Sequence, residues 1–496
     1  MKLCVSITEE TTAAALARMA ELLPHADLFE VRADFLRDLD LAALLRARRR
    51  PLLFTCRTQG EGGRWPDGER ARLHRLLAEA LELGFDLVDV ESRSGFSDLH
   101  AARGGRGLVL SWHDFEGTPG DLDAVYERMA ACRPEVVKIA VRARGIRDLG
   151  RLLDFARRRG GRAGADGPAL VVVAMGAEGT ASRVLGARHG APFTFAAPAD
   201  GCEAGPGQLP AAVLDRVYRV RSLGAATRVY GVLGTDVLRS LSPAIHNRGF
   251  AALGEDAVYV PLQAESLEGF LAALPDLGLA GFSVTRPYKQ AILPHLARIA
   301  PPAARAGSVN TVVVEEGRLV GSSTDGEGVL VPLRRRTQVA DRCVLLLGAG
   351  GAARAAAFAL VDAGARLTIA ARRPEAAAAL AAACGAGAAA ASPTEATRLE
   401  WDVLLNATPV GSAACPGRAP LPEQSLRPGA VVFDMVYDPV ETPLLVAARS
   451  RGCTAIDGVE MLVAQAVGQL RAWTGRAPGT DLLTRAATDA ITEMRR

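Results

Sequence analysis

Along the first 220 positions, two hydrophobic patterns take turns. Short apolar runs, LCVSI (3–7), DLFEV (27–31), PLLFTC (51–56), FDLVDV (85–90), GLVLSW (107–112), EVVKIAV (135–141), ALVVVAM (169–175) and PFTFAA (192–197), predict strands. Between them lie stretches such as GERARLHRLLAEALELG, whose apolar residues return at helical spacing. About eight β/α units in roughly 220 residues have the period and length of a TIM barrel, with an open doubly wound sheet as the structural alternative. Polar residues tilt the choice, because they cluster where strands end: Glu30 and Arg32, Arg57, His113, Lys138, then Arg183 and Gln208 in later loops. A barrel gathers its strand C-termini round one mouth, where such side chains converge. An open sheet spreads them along an edge.

A second series begins at VYGVLG (229–234) and runs to about Leu330. Then RCVLLLGAGGAARAAAFALVDAGARLTIAARRP (342–374) reads as strand, glycine turn, helix and strand, the order of a nucleotide-binding βαβ unit. The segment VYRVRSLGAATR (217–228) is the expected joint. The expectation is an α/β protein in three parts. An N-terminal (β/α)8 TIM barrel spans 1–222, an α/β substrate domain spans 228–332 with C-terminal helices 466–496 completing it, and a Rossmann-like domain spans 333–465. The alanine-rich tract 375–391 is expected to be exposed helix.

Composition narrows the function classes. A chain of 496 residues exceeds one ordinary core, and 49% apolar with 23% charged residues is the balance of a soluble globular protein. Net charge is +3 and the arginines are dispersed among acids, so no basic stripe for nucleic acid is present. The short RARRR (46–50) reads as a solvated helix end. Eight scattered cysteines form no C-x-x-C pair, which argues against a metal cluster or disulfide framework and fits a reducing cytosol. MKLCVSITEE reads as a strand and not a secretory leader, and no apolar run approaches the roughly 20 residues of a membrane helix. A cytoplasmic location without membrane partners is expected.

Lysine is rare: Lys2, Lys138 and Lys289 are the three among 58 basic side chains. Lys138 lies between valine and isoleucine in a strand-like run, where a charge is costly to bury. A bland reading is a lysine that snorkels or pairs with an acid. The chemical reading is sharper. Desolvation disfavours the ammonium, and the neutral amine attacks a ketone to form a Schiff base, which arginine cannot do. His113, ending the preceding strand, is placed to shuttle a proton between a substrate carbon and a leaving oxygen.

Six ordered segments, LFEVRADF, LLFTCRTQGEGG, LSWHDF, VVKIAV, AEGTASR and GPGQ, cover nearly all of 1–220 and resemble the type I 3-dehydroquinate dehydratases. The resemblance implies that Lys138 forms the imine with 3-dehydroquinate and that His113, oriented by Glu61, is the acid/base for syn elimination of water. It implies that Glu30, Arg32, Arg57, Arg183 and Gln208 hold substrate hydroxyls and carboxylate. A guanidinium suits the carboxylate because two parallel N–H groups match two oxygens. One departure stands out: Ala204 occupies the place of the family's serine, four residues before Gln208. A substrate hydrogen bond is lost there, while the imine chemistry is untouched.

In the second half, RSLSPAIHN (239–247) offers Ser240 and Ser242 at what is also a plain helix N-cap. GFSVTRPYKQ contributes Lys289, AGSVNTVV contributes Asn310, and GSSTDGEG contributes Asp325. Together these segments resemble shikimate dehydrogenases from about 228 onward. The resemblance implies a catalytic Lys289–Asp325 pair, with Ser240, Ser242, Thr285, Asn310, Tyr437 and Gln465 around the substrate. Leu241 and Ser323 depart from the common lysine and asparagine. Reducing a ketone leaves an alkoxide that must receive a proton, and a lysine held by a carboxylate can donate it.

The glycine turn Gly348, Ala349, Gly350, Gly351, followed by Ala352, lets backbone N–H groups approach a pyrophosphate. After the next strand come Ala371, Arg372 and Arg373, with no acid for a ribose hydroxyl, so positive charge favours the 2′-phosphate of NADP. Asn406 and Thr408 of NATPVG match the family's loop beside the nicotinamide, and Gly458 matches a further cofactor position. No metal is called for.

The combined expectation is two consecutive reactions on one chain: 3-dehydroquinate to 3-dehydroshikimate, then NADPH-dependent reduction to shikimate. Rival readings are a class I aldolase for the barrel, a preference for quinate in the second half, and a degenerate metabolite sensor. The last requires lost catalytic residues, and both lysines and their partners are present.

Overall fold

The eight expected strands all form, as β1 (Lys2–Ile7), β2 (Leu28–Arg32), β3 (Leu52–Thr55), β4 (Leu87–Glu91), β5 (Leu108–Asp114), β6 (Val136–Arg142), β7 (Ala169–Met175) and β8 (Phe193–Ala196). In this computed structural model, which describes residues 1–160 and 167–494, they make one sheet ordered β7-β6-β5-β4-β3-β2-β1-β8. β1 pairs in parallel with both β2 and β8, which brings the first and last strands together in a near-closed barrel. The helices between strands bury one stripe. Residues Arg70–Leu83 turn Leu73, Leu77, Ala80 and Leu81 inward at three- and four-residue steps, and Gly84, at φ 90°, ends the helix in a left-handed cap.

The barrel interior changes character within two residues. Cys4, Leu28, Leu53, Val109, Val136 and Phe193 belong to one buried apolar cluster. Side chains i and i+2 of a strand share a face, so Ser6, Glu30, Thr55, Ser111, Lys138 and Phe195 form the next layer towards the strand C-termini. Leucine and valine hold the floor, and ionisable groups line the mouth.

The second half builds two sheets. β9 (Arg228–Gly234), β10 (Ala257–Gln263), β11 (Leu279–Val284), β12 (Arg298–Ile299), β13 (Thr311–Glu315) and β14 (Arg318–Ser322) are ordered β10-β9-β11-β13-β14-β12. β13 runs antiparallel to β11 and β14. β15 (Cys343–Leu347), β16 (Arg366–Ala370), β17 (Ala388–Ala391), β18 (Val403–Asn406), β19 (Val431–Asp434) and β20 (Thr454–Ile456) form a parallel sheet ordered β17-β16-β15-β18-β19-β20. Chain direction across the sheet reverses between β15 and β18, and such a switch point is where open α/β sheets bind ligands. The glycine turn follows β15 at that point.

The alanine tract departs from the all-helix expectation. Pro374–Cys384 is helical, but Ala388–Ala391 is a strand paired with β16. Gly385, at φ 85°, stops the helix, and alanine side chains do not resist either conformation. By packing, the chain divides into two compact units: Met1–Gly231 with Thr235–Arg239 and Asp256–Leu279, and Val232–Gly234 with Ser240–Glu255 and Ala280–Arg496. Among the described residues no helix is long and apolar enough to cross a membrane.

Candidate functional site

The barrel mouth brings together every residue expected there. Lys138 is buried on β6, its Nζ 3.6 Å from Asp89 Oδ2 and 4.1 Å from the centre of the Phe195 ring. Burial lowers its pKa; Asp89 and Glu30 oppose the shift without cancelling it. His113 Nδ1 lies 2.8 Å from Glu61 Oε2, and burial together with the Arg57 and Lys138 charges holds the imidazole well below its ordinary value. Burial pushes the Glu61 carboxyl up to about 7, with Arg57 acting against it.

The cations of the mouth are held differently. Arg32 makes a two-pronged contact with Asp34, at 2.9 and 2.8 Å, and Arg57 is bound to Asp89 at 2.7 Å, Ser111 Oγ at 2.8 Å and Glu91 at 3.3 Å. Burial works against the Arg57 charge, but Asp89 and Glu91 outweigh it and raise its pKa. Arg183 donates instead to the carbonyls of Gly207 and Pro206, at 2.7 and 2.9 Å, and burial drags its pKa down to about 10. A buried guanidinium facing carbonyl dipoles is a built place for an anion. Glu30 accepts from Ser6 and Thr55 at 2.6 and 3.0 Å, and Gln208 joins Ser6 Oγ at 3.1 Å to the Ala204 N–H at 2.7 Å.

Sequence reasoning missed Asp34, Asp89, Glu91, Ser111, Ser6 and Thr55. A signal existed for two: Asp89 and Glu91 share one face of FDLVDVES, the pair of acids an apolar strand would not carry on an inward face without use.

The second site lies wholly within the second unit. Lys289 Nζ donates to Asp325 Oδ2 at 2.6 Å, and Asn310 Nδ2 donates to Asp325 Oδ1 at 2.7 Å. Asn310 also reaches Thr324 Oγ1 at 3.1 Å and Gln465 Oε1 at 3.3 Å, while its own oxygen accepts from Thr311 and the Thr324 N–H. Asp325 is fully buried and Lys289 half-buried, so a carboxylate at the floor steadies an amine that faces outward. Ser242 N–H donates to Ser240 Oγ at 3.2 Å at the start of the helix Ser242–Leu253. Buried His246 touches the Ser242 carbonyl at 2.8 Å and Gln469 at 2.9 Å, and Gln469 continues to the Asn310 carbonyl at 3.3 Å. Burial pushes the His246 imidazole down to about 4. Thr324, His246 and Gln469 were not foreseen. Thr285 follows β11 directly, its N–H on the Leu233 carbonyl at 2.9 Å, and Tyr437 is half-buried in the loop after β19.

The dinucleotide residues fit a bound NADP. Gly348 has φ 113°, and a Cβ there would stand 3.0 Å from the Ala407 carbonyl. A Cβ on Gly351, first residue of the helix Gly351–Asp362, would stand 3.2 Å from Ser308 Oγ and 3.5 Å from Lys289 Cδ. Both positions keep a cradle open that a side chain would fill. Ala349 and Ala371 pack on the sheet core, Ala352 is half-buried, and Arg372 and Arg373 are exposed just beyond β16. Gly458 starts the helix Gly458–Thr474, where a Cβ would meet the Val436 carbonyl at 2.4 Å. Asn406 is bound within its own loop and to the next strand: its amide donates to Asp434 at 2.9 Å and the Val410 carbonyl at 3.3 Å, and its oxygen accepts from the Thr408 N–H and hydroxyl. It fixes the loop's shape.

Three family models match. Residues 3–225 fit type I 3-dehydroquinase, 232–312 the shikimate dehydrogenase substrate binding domain, and 458–488 the shikimate 5'-dehydrogenase C-terminal domain. The chloroplastic bifunctional 3-dehydroquinate dehydratase/shikimate dehydrogenase of Arabidopsis thaliana is 33% identical over 477 residues, covering 91% of this chain and 78% of that protein. The shikimate dehydrogenase (NADP(+)) of Thermococcus kodakarensis is 40% identical over 272 residues, 54% of this chain and 99% of that one. The crystal structure of Thermus thermophilus shikimate 5-dehydrogenase with NADP(H) and shikimate is similar at TM-score 0.50 and 36% identity, over 53% of this chain and all of that one (100%).

Proposed function

Since this chain belongs to the family of bifunctional 3-dehydroquinate dehydratase/shikimate dehydrogenases, we propose that its two lysines carry two successive reactions. The barrel, which we bound at 1–222, dehydrates 3-dehydroquinate. The segments 228–332 and 333–465, with the closing helices 466–496, reduce the product to shikimate with NADPH. The small-molecule substrates are the partners we assign.

In the barrel the Lys138 amine adds to the substrate ketone and expels water to form an imine. With Glu61 ionised, Nδ1–H of His113 points at the carboxylate and Nε2 is left bare as a base. Nε2 takes a proton from the carbon beside the imine, the adjacent hydroxyl leaves as water with that proton, and hydrolysis returns the amine and the enone. Arg183 receives the substrate carboxylate. Glu30 and Gln208 hold hydroxyls.

In the second site Gly348, Gly350, Gly351, Arg372 and Arg373 hold the dinucleotide. Bound NADPH supplies hydride to the ketone carbon. Lys289 donates a proton to the resulting oxygen, and Asp325, anchored by Asn310, keeps the amine aimed. Ser240 and Ser242 take the carboxylate. We place the protein in a reducing compartment, the cytoplasm, a reading supported by its eight free thiols; the Arabidopsis relative is described as chloroplastic.

The observation that carries this reading is the contrast between a desolvated lysine 3.6 Å from an acid that an arginine also holds and a lysine 2.6 Å from an acid of its own. The test is one mixture of 3-dehydroquinate, NADPH and protein. Enone absorbance followed by nicotinamide oxidation supports it; neither signal refutes it.

A further inference from the structure

The acids around Lys138 are shared unequally. Asp89 Oδ2 stands 2.7 Å from Arg57 Nη2 and 3.6 Å from Lys138 Nζ, while Asp89 Oδ1 accepts from Ser111 at 2.6 Å. Arg57 also engages Glu91 at 3.3 Å and Ser111 at 2.8 Å, so this buried guanidinium is spent on the barrel wall. The register sets Thr55, two residues before Arg57, opposite Asp89, and Ser111 opposite Lys138, so the order around the wall is arginine, aspartate, serine, lysine.

We propose that Arg57 and Asp89 are positioning residues that tune how readily Lys138 gives up its proton: Arg57 holds the aspartate at 2.7 Å and leaves the amine, at 3.6 Å, the weaker share of its charge. Burial acts first on the amine, Asp89 and Glu30 favour its proton, and Arg57 opposes them. The remaining groups facing Lys138 are Glu30 and Arg32 from β2, Cys4 from β1, His113 from β5 and the Phe195 ring from β8. Glu30 is already bound to two hydroxyls, and Arg32 to Asp34. Substrate contact by Arg57, implied by resemblance alone, becomes secondary to this role, which deepens the imine mechanism proposed above.

The chain's three lysines make the test clean, because Lys2 is an internal reference for Lys138. Competitive labelling of the full-length protein with acetic anhydride across pH, read by mass spectrometry, reports how much of each amine is neutral without any substrate. The inference therefore stands or falls apart from the dehydratase reading. Asp89→Asn should raise Lys138 labelling at pH 8 about tenfold, and Arg57→Gln should lower it about tenfold, as expected for a shift of one pKa unit, with Lys2 unchanged. A purely structural role moves both variants the same way. Equal-sign changes, or none, overturn the proposal. Where Arg57→Gln does not fold, the double variant Asp89→Asn/Arg57→Gln, which removes one charge of each sign, should label within about twofold of wild type; a full Asp89→Asn-like rise in it also overturns the proposal.

Discussion

The two lysine sites solve opposite problems with the same side chain. In the proposed dehydratase Lys138 acts as a nucleophile, and it sits 3.6 Å from an aspartate that an arginine holds at 2.7 Å. In the proposed reductase Lys289 hands over a proton, and it sits 2.6 Å from an aspartate that asparagine, a neutral group, anchors. The same side chain thus meets its carboxylate at two distances, with a competing cation at one site and a neutral amide at the other.

The strongest way to break this comparison is to exchange each lysine for arginine. Lys138→Arg replaces the amine with a guanidinium that cannot form the imine, so dehydratase turnover should fall on the order of 10⁴-fold or more while the reductase persists. Lys289→Arg should lower the reductase by about 10²–10⁴-fold, the worth of a general acid, while the dehydratase persists. Borohydride with 3-dehydroquinate should label wild type and not the Lys138 variant. Retained activity in either exchange removes the chemical distinction between the two sites.

The barrel pair sharpens it next. Below about pH 7, Glu61 carries a proton and donates it to His113 Nδ1, which drives the ring hydrogen to Nε2 and leaves no base. Above it, Nε2 is free. Dehydratase kcat/KM should rise with pH through a midpoint near 7 and fall roughly tenfold per unit below it. In Glu61→Gln the amide oxygen accepts Nδ1–H at every pH, so that limb should vanish. The reductase, which does not use the Glu61–His113 pair, should not show it.

Much of this was legible in the sequence, and the failures have physical causes. Strands such as EVVKIAV and ALVVVAM are apolar on both faces, because helices cover one and the barrel core the other, and no solvent-facing pattern competes. Lys138 was readable because a lysine is chemically expensive in an apolar strand, whereas His113 and the Lys289–Asp325 pair were weak alone and gained meaning from the family resemblance of their motifs. Asp89 was only half legible: its spacing to Glu91 marks a shared face, but the inward direction of that face depends on registers with Thr55 and Val109 that a linear sequence does not express. Asn406 was matched through the family's motif, while its bond to Asp434, brought alongside by the pairing of β18 with β19, could not be read from the sequence. The alanine tract failed for lack of side chains to choose between helix and strand.

Cofactor choice comes third in size. Arg372 and Arg373 are exposed beyond β16, so their contacts to a 2′-phosphate are partly screened. Replacing both with alanine should raise KM for NADPH by about tenfold to a hundredfold, the value of one or two charge-assisted hydrogen bonds, with KM for NADH nearly unmoved. Parallel losses with both cofactors would assign the arginines to something other than the phosphate.

The smallest effect concerns Ala204, which stands where the family pattern has a serine. Ala204 lies four residues before Gln208, its N–H on Gln208 Oε1 at 2.7 Å and its carbonyl 3.4 Å from Arg32 Nη1. The backbone is therefore already held in place by two substrate-side residues, and only a hydroxyl is lacking. Ala204→Ser adds that hydroxyl without moving the loop, so KM for 3-dehydroquinate should drop by about three- to tenfold, one neutral hydrogen bond, with kcat unchanged because Lys138 and His113 are untouched. A change in kcat instead would mean that the loop sets the pose of the imine as well as the grip on its carboxylate, and the barrel mouth would then be one coupled device where binding and chemistry have here been separated.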